Sequence, residues 1–592
     1  MNAIERFAAI AAIAAIAAGL APAAQAAYTI PKFRVNQYYD SNAVLQRGVT
    51  LPISGAAIQG RTVTVTFAGR TLSTTADLDS PYASDGEARW RVEFPAMEAG
   101  GPYTLTATDG TTTLTATNIL VGEVWLASGQ SNAYYPIERF ADSAAWLQDA
   151  DYPTIRFIEA TENHFEWQLN QNAWQVASSA TTGKCSAMGF FFAKELQGKL
   201  GVPVGIVTAA VDGSLIDEWL PGCTSAKDHY TKMILNSLEP VPPLPVRGVL
   251  WYQGESDGMF GFGYNYRFKL QSLVRNWRAL WNDADMPFLV AQLPFFGAYG
   301  QWCDVRDSQN WVGRQEQGVH VVPTLDIGDL ADIHPPKKPE LGRRLSEFAR
   351  KYVYGESGLY PEGPVYLRSE ANPDNASEIL VHFDAHTAIT SGDGQALRGF
   401  QVGGDYYGTT KFFDGTVRIV DADTLAVSCP TFPEPLAVRY GFANTDPVNF
   451  FDAEGNAAGA FRTDSFKLQS QSEDVHEHGW RLTASGDTLT ATCTNANCTA
   501  GTPTFSIGGE TAKAYDGTPL AATLVGTDFA ALTSSSLGML EYYRGSTKLP
   551  GPPVEPGTYE ARVEVDHQNT IYVLRRTLTI TAPRPRVVFC ID

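Results

Sequence analysis

The sequence predicts an α/β protein whose parallel sheet, covered by helices, is flanked by β-rich units. From about residue 120 to 356, near-continuously apolar runs alternate with helical stretches. Before and after this region, short strands of alternating polar and apolar residues are separated by Gly and Pro, which is typical of β-sandwiches. Because strands of a parallel sheet are buried on both faces, they are apolar along their whole length.

Five apolar runs are the predicted strands of the parallel sheet: residues 121–127, 204–208, 248–252, 288–293 and 321–325. One predicted helix carries apolar residues at spacings of three and four, at Tyr266, Leu270, Leu273, Val274, Trp277 and Leu280. Another has Pro339 near its start and Gly355 past its end. In such sheets, binding sites lie beyond the carboxyl ends of the strands.

Residues 1–26 predict an export signal that is removed from the mature chain. An Ala/Ile run over residues 7–20 precedes Ala24-Gln25-Ala26, a small-x-small cleavage pattern. The run is shorter than the roughly 20 apolar residues that a membrane-spanning helix needs. An N-terminal membrane anchor is the alternative interpretation. We therefore expect a secreted, periplasmic or cell-surface protein with no membrane span after signal removal.

The rest of the chain divides into predicted units of contrasting pattern. In order, they are an N-terminal β-sandwich at 27–119, the α/β domain at 120–358, a β-rich domain packed on it at 359–466, a linker or extension at 467–499, and a C-terminal Ig-like β domain at 500–592.

The charge and the Cys and His residues argue against several classes of partner. A formal net charge of −20 disfavours nucleic acid and anionic membrane as partners. None of the seven cysteines has zinc-type spacing; Cys493 and Cys498 either close a small disulfide loop or remain thiols. His476 and His478 have no third ligand at a usual spacing and predict a solvated loop. No metal and no organic cofactor is expected.

Ser131 and His334 are the predicted centre of the chemistry. Ser131 stands in Gly129-Gln130-Ser131-Asn132, a turn directly after an apolar strand. A serine hydroxyl needs a base to become a nucleophile. His334 follows Asp332 and lies between a strand and a helix. If the two side chains meet in space, they form the nucleophile and base of an esterase.

Three ordered blocks resemble the sialate O-acetylesterase family of the SGNH hydrolases. They are residues 122–132 (GEVWLASGQSN), 248–256 (GVLWYQGES) and 326–335 (DIGDLADIHP). With flanking similarities, the resemblance covers about residues 33 to 465. It implies a flavodoxin-like SGNH core, Ser131 as nucleophile and His334 as base.

The resemblance leaves the third member of the triad open. SGNH enzymes usually place the acid three residues before the histidine, where this chain has Ala331. Asp332 is the first choice because the family often has an Asp-Ile-His arrangement. Asp329 is the second choice, and a Ser–His dyad oriented by a backbone carbonyl is the third.

The resemblance also implies an oxyanion hole formed by the Ser131 N–H, the Gly213 N–H and the Gln253 side-chain amide. Around Gly213, Val211 and Asp212 depart from the Trp-Gly-Gly-Thr usual in the family. Glu255 is expected to hold the active-site loops by pairing with a cation. Arg306 could meet a substrate carboxylate, but a structural ion pair is favoured for it.

The predicted function is therefore a secreted serine esterase that removes O-acetyl groups from a carbohydrate, with sialic acid as the leading sugar. The expected partner is an O-acetylated sialoglycan or plant glycan. One alternative is an acetyl xylan esterase or another glycan acetylesterase. An alternative of another class is a glycan-binding surface protein with an inactive core, attached to glycan or the cell surface by its C-terminal domain.

Overall fold

The computed structural model of the protein describes residues 33–78, 86–160, 173–223, 227–235, 244–297, 301–443, 448–468, 480–493, 504–515, 518–527, 535–537, 540–549, 551–567 and 570–582. The predicted export signal, the His476–His478 pair and Cys498 lie outside these residues. Cys185 and Cys429 are buried thiols outside any disulfide.

The N-terminal unit consists of two packed sheets. One has the order β1-β3-β6, and the other contains β2, β4, β5, β7 and the first half of β8. Their apolar faces join the same buried cluster as the α/β domain. The bounds of these strands are β1 Arg34–Val35, β2 Val44–Gln46, β3 Leu51–Ile58, β4 Thr62–Phe67, β5 Arg70–Thr75, β6 Glu87–Phe94, β7 Gly100–Thr108 and β8 Thr113–Gly129.

Strand β8 crosses the boundary predicted between residues 119 and 120. Its first half pairs antiparallel with β7, and its second half pairs parallel with β11 and β12. The remaining strands of the α/β domain are β9 Tyr152–Glu159, β10 Gln175–Ala177, β11 Val204–Ala210, β12 Gly248–Tyr252, β13 Phe288–Ala291 and β14 Val319–Val322.

The central sheet has the order β10-β9-β11-β8-β12-β13-β14. From β11 to β14 the five strands follow the flavodoxin-like order 2-1-3-4-5, as the resemblance implied. The sheet is mixed, however, and not purely parallel as predicted. The reason is that β10 runs antiparallel to β9, and that β8 is long enough to continue into the antiparallel N-terminal sheet.

The helices follow the strands as the predicted alternation requires. Ser186 caps α3 by accepting the Gly189 N–H at 3.1 Å, and Gly201 ends that helix with φ +66°. Helix α3 packs on α7, and α5 on α6. Among the described residues the α-helices are α1 Ser131–Tyr134, α2 Ser143–Leu147, α3 Ala187–Leu200, α4 Glu255–Met259, α5 Tyr266–Trp281, α6 Trp302–Gln315 and α7 Lys338–Tyr352.

A β-rich domain follows α7 and has a core of its own, to which Leu325 of the α/β domain also belongs. Its strands form two four-stranded sheets and one two-stranded sheet. Their bounds are β15 Val365–Ala371, β16 Glu378–Asp384, β17 Ile389–Ser391, β18 Phe400–Tyr406, β19 Thr409–Asp414, β20 Thr416–Ile419, β21 Thr424–Ser428, β22 Ala437–Tyr440, β23 Phe450–Asp452 and β24 Phe461–Arg462.

The last unit builds a third buried cluster between a four-stranded and a six-stranded sheet. Strands β25 and β26 fall in the segment predicted to be a linker or extension, and they extend this unit because β26 pairs with β27. Its Ig-like topology stays a prediction. The strands are β25 Trp480–Ser485, β26 Thr488–Cys493, β27 Thr504–Gly508, β28 Ala512–Ala514, β29 Thr523–Thr527, β30 Ser535–Leu537, β31 Glu541–Arg544, β32 Thr547–Lys548, β33 Gly557–His567 and β34 Thr570–Thr581.

Candidate active site

Three strand ends meet at Gly129, just before Ser131. Gly129 of β8 is in register with Ala210 of β11 and with Tyr252 of β12. A Cβ at Gly129 would lie 2.1 Å from the Tyr252 carbonyl oxygen, and its φ of +130° is one that side chains disfavour. Glycine therefore lets β8 turn against β12 and present Ser131 at the carboxyl edge of the sheet.

Ser131 begins helix α1 and is 6 % exposed. The Gln130 N–H donates to the Tyr252 carbonyl at 3.0 Å, which ties the turn to β12. The nucleophile predicted from the sequence thus lies on a rigid turn at a strand end, with a small opening to solvent.

His334 lies in the loop between β14 and α7, against the end of α1. Its ring stacks on the ring of Tyr135, with centroids 4.0 Å apart and an interplanar angle of 22°. Burial lowers the pKa of His334, and the carboxylate of Asp332 opposes that shift in part. The imidazole is therefore mostly neutral near pH 7, the form that a general base requires.

Asp332 is the acid in contact with His334. Its Oδ1 lies 3.5 Å from His334 Nδ1 and accepts the His334 backbone N–H at 2.8 Å. Asp329 instead accepts the N–H groups of Ala331 and Asp332, at 2.8 and 3.1 Å. The geometry favours Asp332 over Asp329 as the third member, a role that stays a prediction.

The segments that carry Ser131 and His334 are joined next to both residues. Asn132 Nδ2 donates to the Ile333 carbonyl at 3.0 Å, while Tyr135 covers the imidazole. Among the described residues, no hydrogen bond links Ser131 Oγ to the His334 ring. The structure thus brings the two segments together, and the catalytic hydrogen bond itself stays a prediction.

Gln253 follows β12 and is fully buried. Its Nε2 donates to Asp257 Oδ2 at 2.7 Å and to the Ser214 carbonyl at 3.0 Å, and it lies 3.3 Å from Gln130 Oε1. Protein acceptors thus engage the amide hydrogens predicted to face an oxyanion. In this state Gln253 ties the three strand-end turns together, and its role as a donor to the substrate stays a prediction.

Gly213 lies in an exposed turn after β11, with φ +68°. The Val211 N–H donates to the Gly129 carbonyl at 3.1 Å, and Ser214 Oγ lies 3.4 Å from the same oxygen. These contacts hold the turn beside the serine turn. The Gly213 N–H and the Ser131 N–H stay the predicted backbone donors of an oxyanion hole.

A bridging amide, that of Asn132, links Glu255 to Lys338. Asn132 donates to Glu255 Oε1 at 2.6 Å, and Lys338 Nζ donates to Asn132 Oδ1 at 2.5 Å. All three side chains are buried. Burial raises the pKa of Glu255 to about 7 and lowers the pKa of Lys338 to about 7.

Lys338 and the bridging role of Asn132 were not predicted from the sequence. One signal was available, since Lys338 is the first residue of α7. A cation is unfavourable at the positive end of a helix, so a lysine there calls for a partner elsewhere.

Arg306 has the structural role that was favoured for it, although through backbone carbonyls and not through an ion pair. Its buried guanidinium donates to the carbonyls of Leu293, Pro294 and Gly441, at 2.7, 2.6 and 2.7 Å. Arg306 therefore fastens the β-rich domain to the end of β13 and is not available to a substrate.

Metal sites and membrane-spanning helices are both absent from the described residues. In these parts of the chain, no group of three or more His, Cys, Asp or Glu residues could hold a metal ion. No helix there has the length and apolar composition needed to cross a membrane.

Known proteins are similar to this chain over the region just described. Residues 121–351 match the family described as carbohydrate esterase, sialic acid-specific acetylesterase. A solved carbohydrate acetylesterase from Xanthomonas citri is 30% identical, with a TM-score of 0.66; the match covers 73% of this chain and 100% of that one. The chain belongs to the sialate O-acetylesterase family of carbohydrate esterases. It is a carboxylic ester hydrolase.

Relatives of this esterase include two mammalian sialate O-acetylesterases. The Mus musculus protein is 24% identical over 429 residues, which are 59% of this chain and 79% of the relative. The Homo sapiens protein is 26% identical over 389 residues, 56% of this chain and 73% of the relative. The resemblance inferred from the three blocks is thus confirmed, whereas the site residues rest on the geometry described above.

Proposed function

We propose that this esterase removes O-acetyl groups from carbohydrate, with sialic acid as the sugar, through an acetyl-enzyme on Ser131. The observation that carries the proposal is the placement of Ser131 and His334. A serine at a strand end and a neutral imidazole flanked by Asp332 lie on segments joined by the Asn132–Ile333 hydrogen bond. The family and its named relatives support the acetylated sugar as substrate.

In the proposed reaction, Ser131 Oγ attacks the acetyl carbonyl carbon while His334 accepts the serine proton. The tetrahedral oxyanion is stabilised by N–H donors, of which the Ser131 and Gly213 amides are the backbone candidates. Such a donor contributes about 3 kcal/mol to the transition state. The bond between the acetyl carbon and the sugar oxygen then breaks as His334 protonates that oxygen, so the sugar leaves with a free hydroxyl and the acetyl group stays on Ser131.

Deacylation reuses the same residues. Water attacks the acetyl carbonyl as His334 accepts a proton, and acetate leaves when that proton returns to Ser131 Oγ. Asp332 holds the imidazole through Nδ1 and stabilises its transient positive charge. The proposed reaction consumes one water for each acetyl group and needs no cofactor.

The experiment that tests the proposal replaces Ser131 by alanine. Ser131→Ala should lower kcat/KM for a chromogenic acetyl ester roughly 10³-fold or more, because the nucleophile is lost. A matched control is Ser128→Ala, which removes a buried hydroxyl that donates to the Ala209 carbonyl at 2.6 Å. Ser128→Ala should cost about 1 kcal/mol of stability and keep its activity. Wild-type turnover by a folded Ser131→Ala protein would refute the proposed nucleophile.

A second candidate function is deacetylation of a neutral plant glycan such as acetylated xylan. The similar enzyme from Xanthomonas citri is described only as a carbohydrate acetylesterase, and Asp212 departs from the family pattern beside the site. Acetate release from O-acetylated mucin and from acetylated xylan, measured side by side, separates the two candidates.

Export and attachment complete the proposal. The pattern over residues 1–26 supports secretion or export to the periplasm or the cell surface. The separate core of the last unit is compatible with a module that attaches the esterase to glycan or the cell surface. Binding of the full chain and of a chain lacking residues 469–592 to immobilised glycan tests this attachment.

A further inference from the structure

Arg139 is an exposed cation beside the general base. It lies just beyond α1, and its guanidinium carbon lies 5.1 Å from the centroid of the Tyr135 ring. The same ring stacks on His334. Tyr135 thus connects a cation to the imidazole that the reaction uses.

Within the described part of the chain, the Arg139 side chain forms no ion pair within 4.0 Å and no hydrogen bond. This sets it apart from Arg306, whose guanidinium is buried and engaged by three carbonyls. The contact with the Tyr135 ring is a cation–π contact at 5.1 Å, which leaves the guanidinium N–H groups without an acceptor from the described residues. These in-plane N–H groups can then bind a carboxylate with two parallel hydrogen bonds.

Asp212 is the nearby carboxylate that bears on Arg139. It follows β11 in the exposed turn held to Gly129. Burial raises the pKa of Asp212, while the charge of Arg139 opposes that shift. The charges of Asp212 and Arg139 therefore interact, although the two side chains form no ion pair. Asp212 also repels an anion that approaches Arg139.

We propose that Arg139 binds a carboxylate of the sugar while the acetyl ester lies at Ser131, and that it selects acidic over neutral acetylated sugars. The inference rests on the proposed function and deepens it by naming the residue that would recognise the carboxylate of the sugar. Asp212 limits the same selectivity, so the two residues act in opposite directions.

The test measures a ratio that does not depend on the overall activity of a variant. The substrates are an O-acetylated N-acetylneuraminic acid and its carboxyl methyl ester, which differ only in the negative charge. The ratio of their kcat/KM values should favour the acid in the wild type. Arg139→Gln should lower this ratio about tenfold, as expected for loss of a charge-assisted hydrogen-bond pair. Arg139→Lys, which keeps the charge without the planar fork, should fall between the two.

Asp212→Asn is the counter-variant and should raise the ratio roughly two- to fivefold, since it removes a repelling charge. Added salt should lower the wild-type ratio, because Arg139 is exposed and its field is screened. Competitive inhibition of chromogenic acetate hydrolysis by N-acetylneuraminic acid and by its methyl ester provides the same ratio without turnover of the sugar.

A wild-type ratio near one, an unchanged ratio in Arg139→Gln, or neither turnover nor inhibition by the acid would each overturn the inference. These outcomes differ from failure of the proposed function, which would show as an active Ser131→Ala protein. An esterase that depends on Ser131 but ignores the carboxylate would leave the mechanism standing and remove the role of Arg139.

Discussion

Asp332 contacts the His334 ring on the side that faces solvent. Its side chain is 60 % exposed, whereas that of His334 is 20 % exposed. Water screens the attraction between an exposed carboxylate and an imidazole, which explains why burial, and not Asp332, decides the direction of the His334 pKa shift. In the proposed mechanism Asp332 therefore acts mainly by orienting the ring.

Asp332→Asn should move the acid limb of the kcat/KM–pH profile to lower pH. In the proposed mechanism the neutral imidazole is the active form, so activity should fall as the pH drops through the His334 pKa. The carboxylate raises that pKa, and its removal therefore lowers it further. Activity near neutral pH should fall about tenfold or more, because the ring loses its orienting acceptor.

Asp329→Asn is the matched control, since an asparagine oxygen can still accept the Ala331 and Asp332 N–H groups. Its acid limb should stay in place. A shifted limb in Asp329→Asn with an unchanged one in Asp332→Asn would reverse the assignment of the acid.

Lys338 and Glu255 are coupled through Asn132, and the coupling can be measured. Lys338→Met leaves the buried Glu255 without its cation and should cost about 3 kcal/mol of unfolding free energy. The double variant Glu255→Gln/Lys338→Met should lose less than the sum of the single losses, as a double-mutant cycle in urea would show.

The loss in Lys338→Met should be greater at pH 8 than at pH 6. Burial raises the pKa of Glu255 and the charge of Lys338 opposes that shift, so in Lys338→Met the pKa rises further. The variant therefore continues to lose stability at pH values where Glu255 of the wild type is already ionised. Strictly additive losses, or equal losses at both pH values, would contradict the coupling.

The sequence was informative about single residues where local pattern decides, and silent where distant segments meet. A serine after an apolar strand and a histidine after Asp-Ile are visible in the chain. The Lys338–Asn132 contact is not, because it depends on how the start of α7 packs against α1. The same holds for Gln253, whose amide partners come from three different turns.

At the scale of elements, the serine turn depends on close approach of two strand ends. Gly129→Ala should cost about 3 kcal/mol or more and strongly reduce activity. The new Cβ would lie 2.1 Å from the Tyr252 carbonyl oxygen at a φ of +130°. Thermal unfolding and chromogenic ester hydrolysis measure the two effects.

Gly213→Ala is the comparison, because a Cβ there meets nothing within 4 Å. Only the positive φ remains unfavourable, which should cost about 1 kcal/mol, and the backbone N–H is kept. Equal damage from both substitutions would show that the close approach at Gly129 is not what holds the turn.

Among the elements, long apolar strands and periodic helices were predictable, and a strand with an interrupted apolar pattern was not. The helix predicted over residues 266–280 spans Tyr266–Trp281. Strand β9 was missed because Pro153 and Arg156 interrupt its apolar pattern. In the structure Arg156 is buried, and its guanidinium bonds to the carbonyls of Pro153 and Ile155, contacts that appear only after folding.

At the scale of the whole molecule, Arg306 joins the α/β and β-rich domains. Arg306→Met would leave buried carbonyls on both sides without donors and should cost about 3–5 kcal/mol. Hydrogen exchange should rise together in β22 and in α6. Arg343→Met removes an arginine of similar size from a half-buried surface cluster with Glu340 and Glu347 and should cost about 1 kcal/mol. Faster exchange in α6 alone would contradict the joining role.

The order of the structural units could be predicted from composition and pattern, but their attachment could not. The sequence left open that Arg306 could bind the substrate. Nothing in its local sequence shows that the Gly441 carbonyl, far along the chain, accepts one of its hydrogen bonds. Similarly, the Ser/Thr/Asn-rich composition near residue 480 resembles a linker, although β25 and β26 join the last buried cluster.

Strand β8 belongs both to the antiparallel sheet of the N-terminal unit and to the central sheet that carries the proposed nucleophile. A hinge between them would have to break the pairing of β8 with β7 or with β11 and β12. The N-terminal unit therefore cannot move as a rigid body about residue 119, and it cannot be replaced by another domain joined at that residue. The N-terminal unit supports the strand that leads to Ser131. A chain that began at residue 120 would lack the first part of that strand, which pairs with β7.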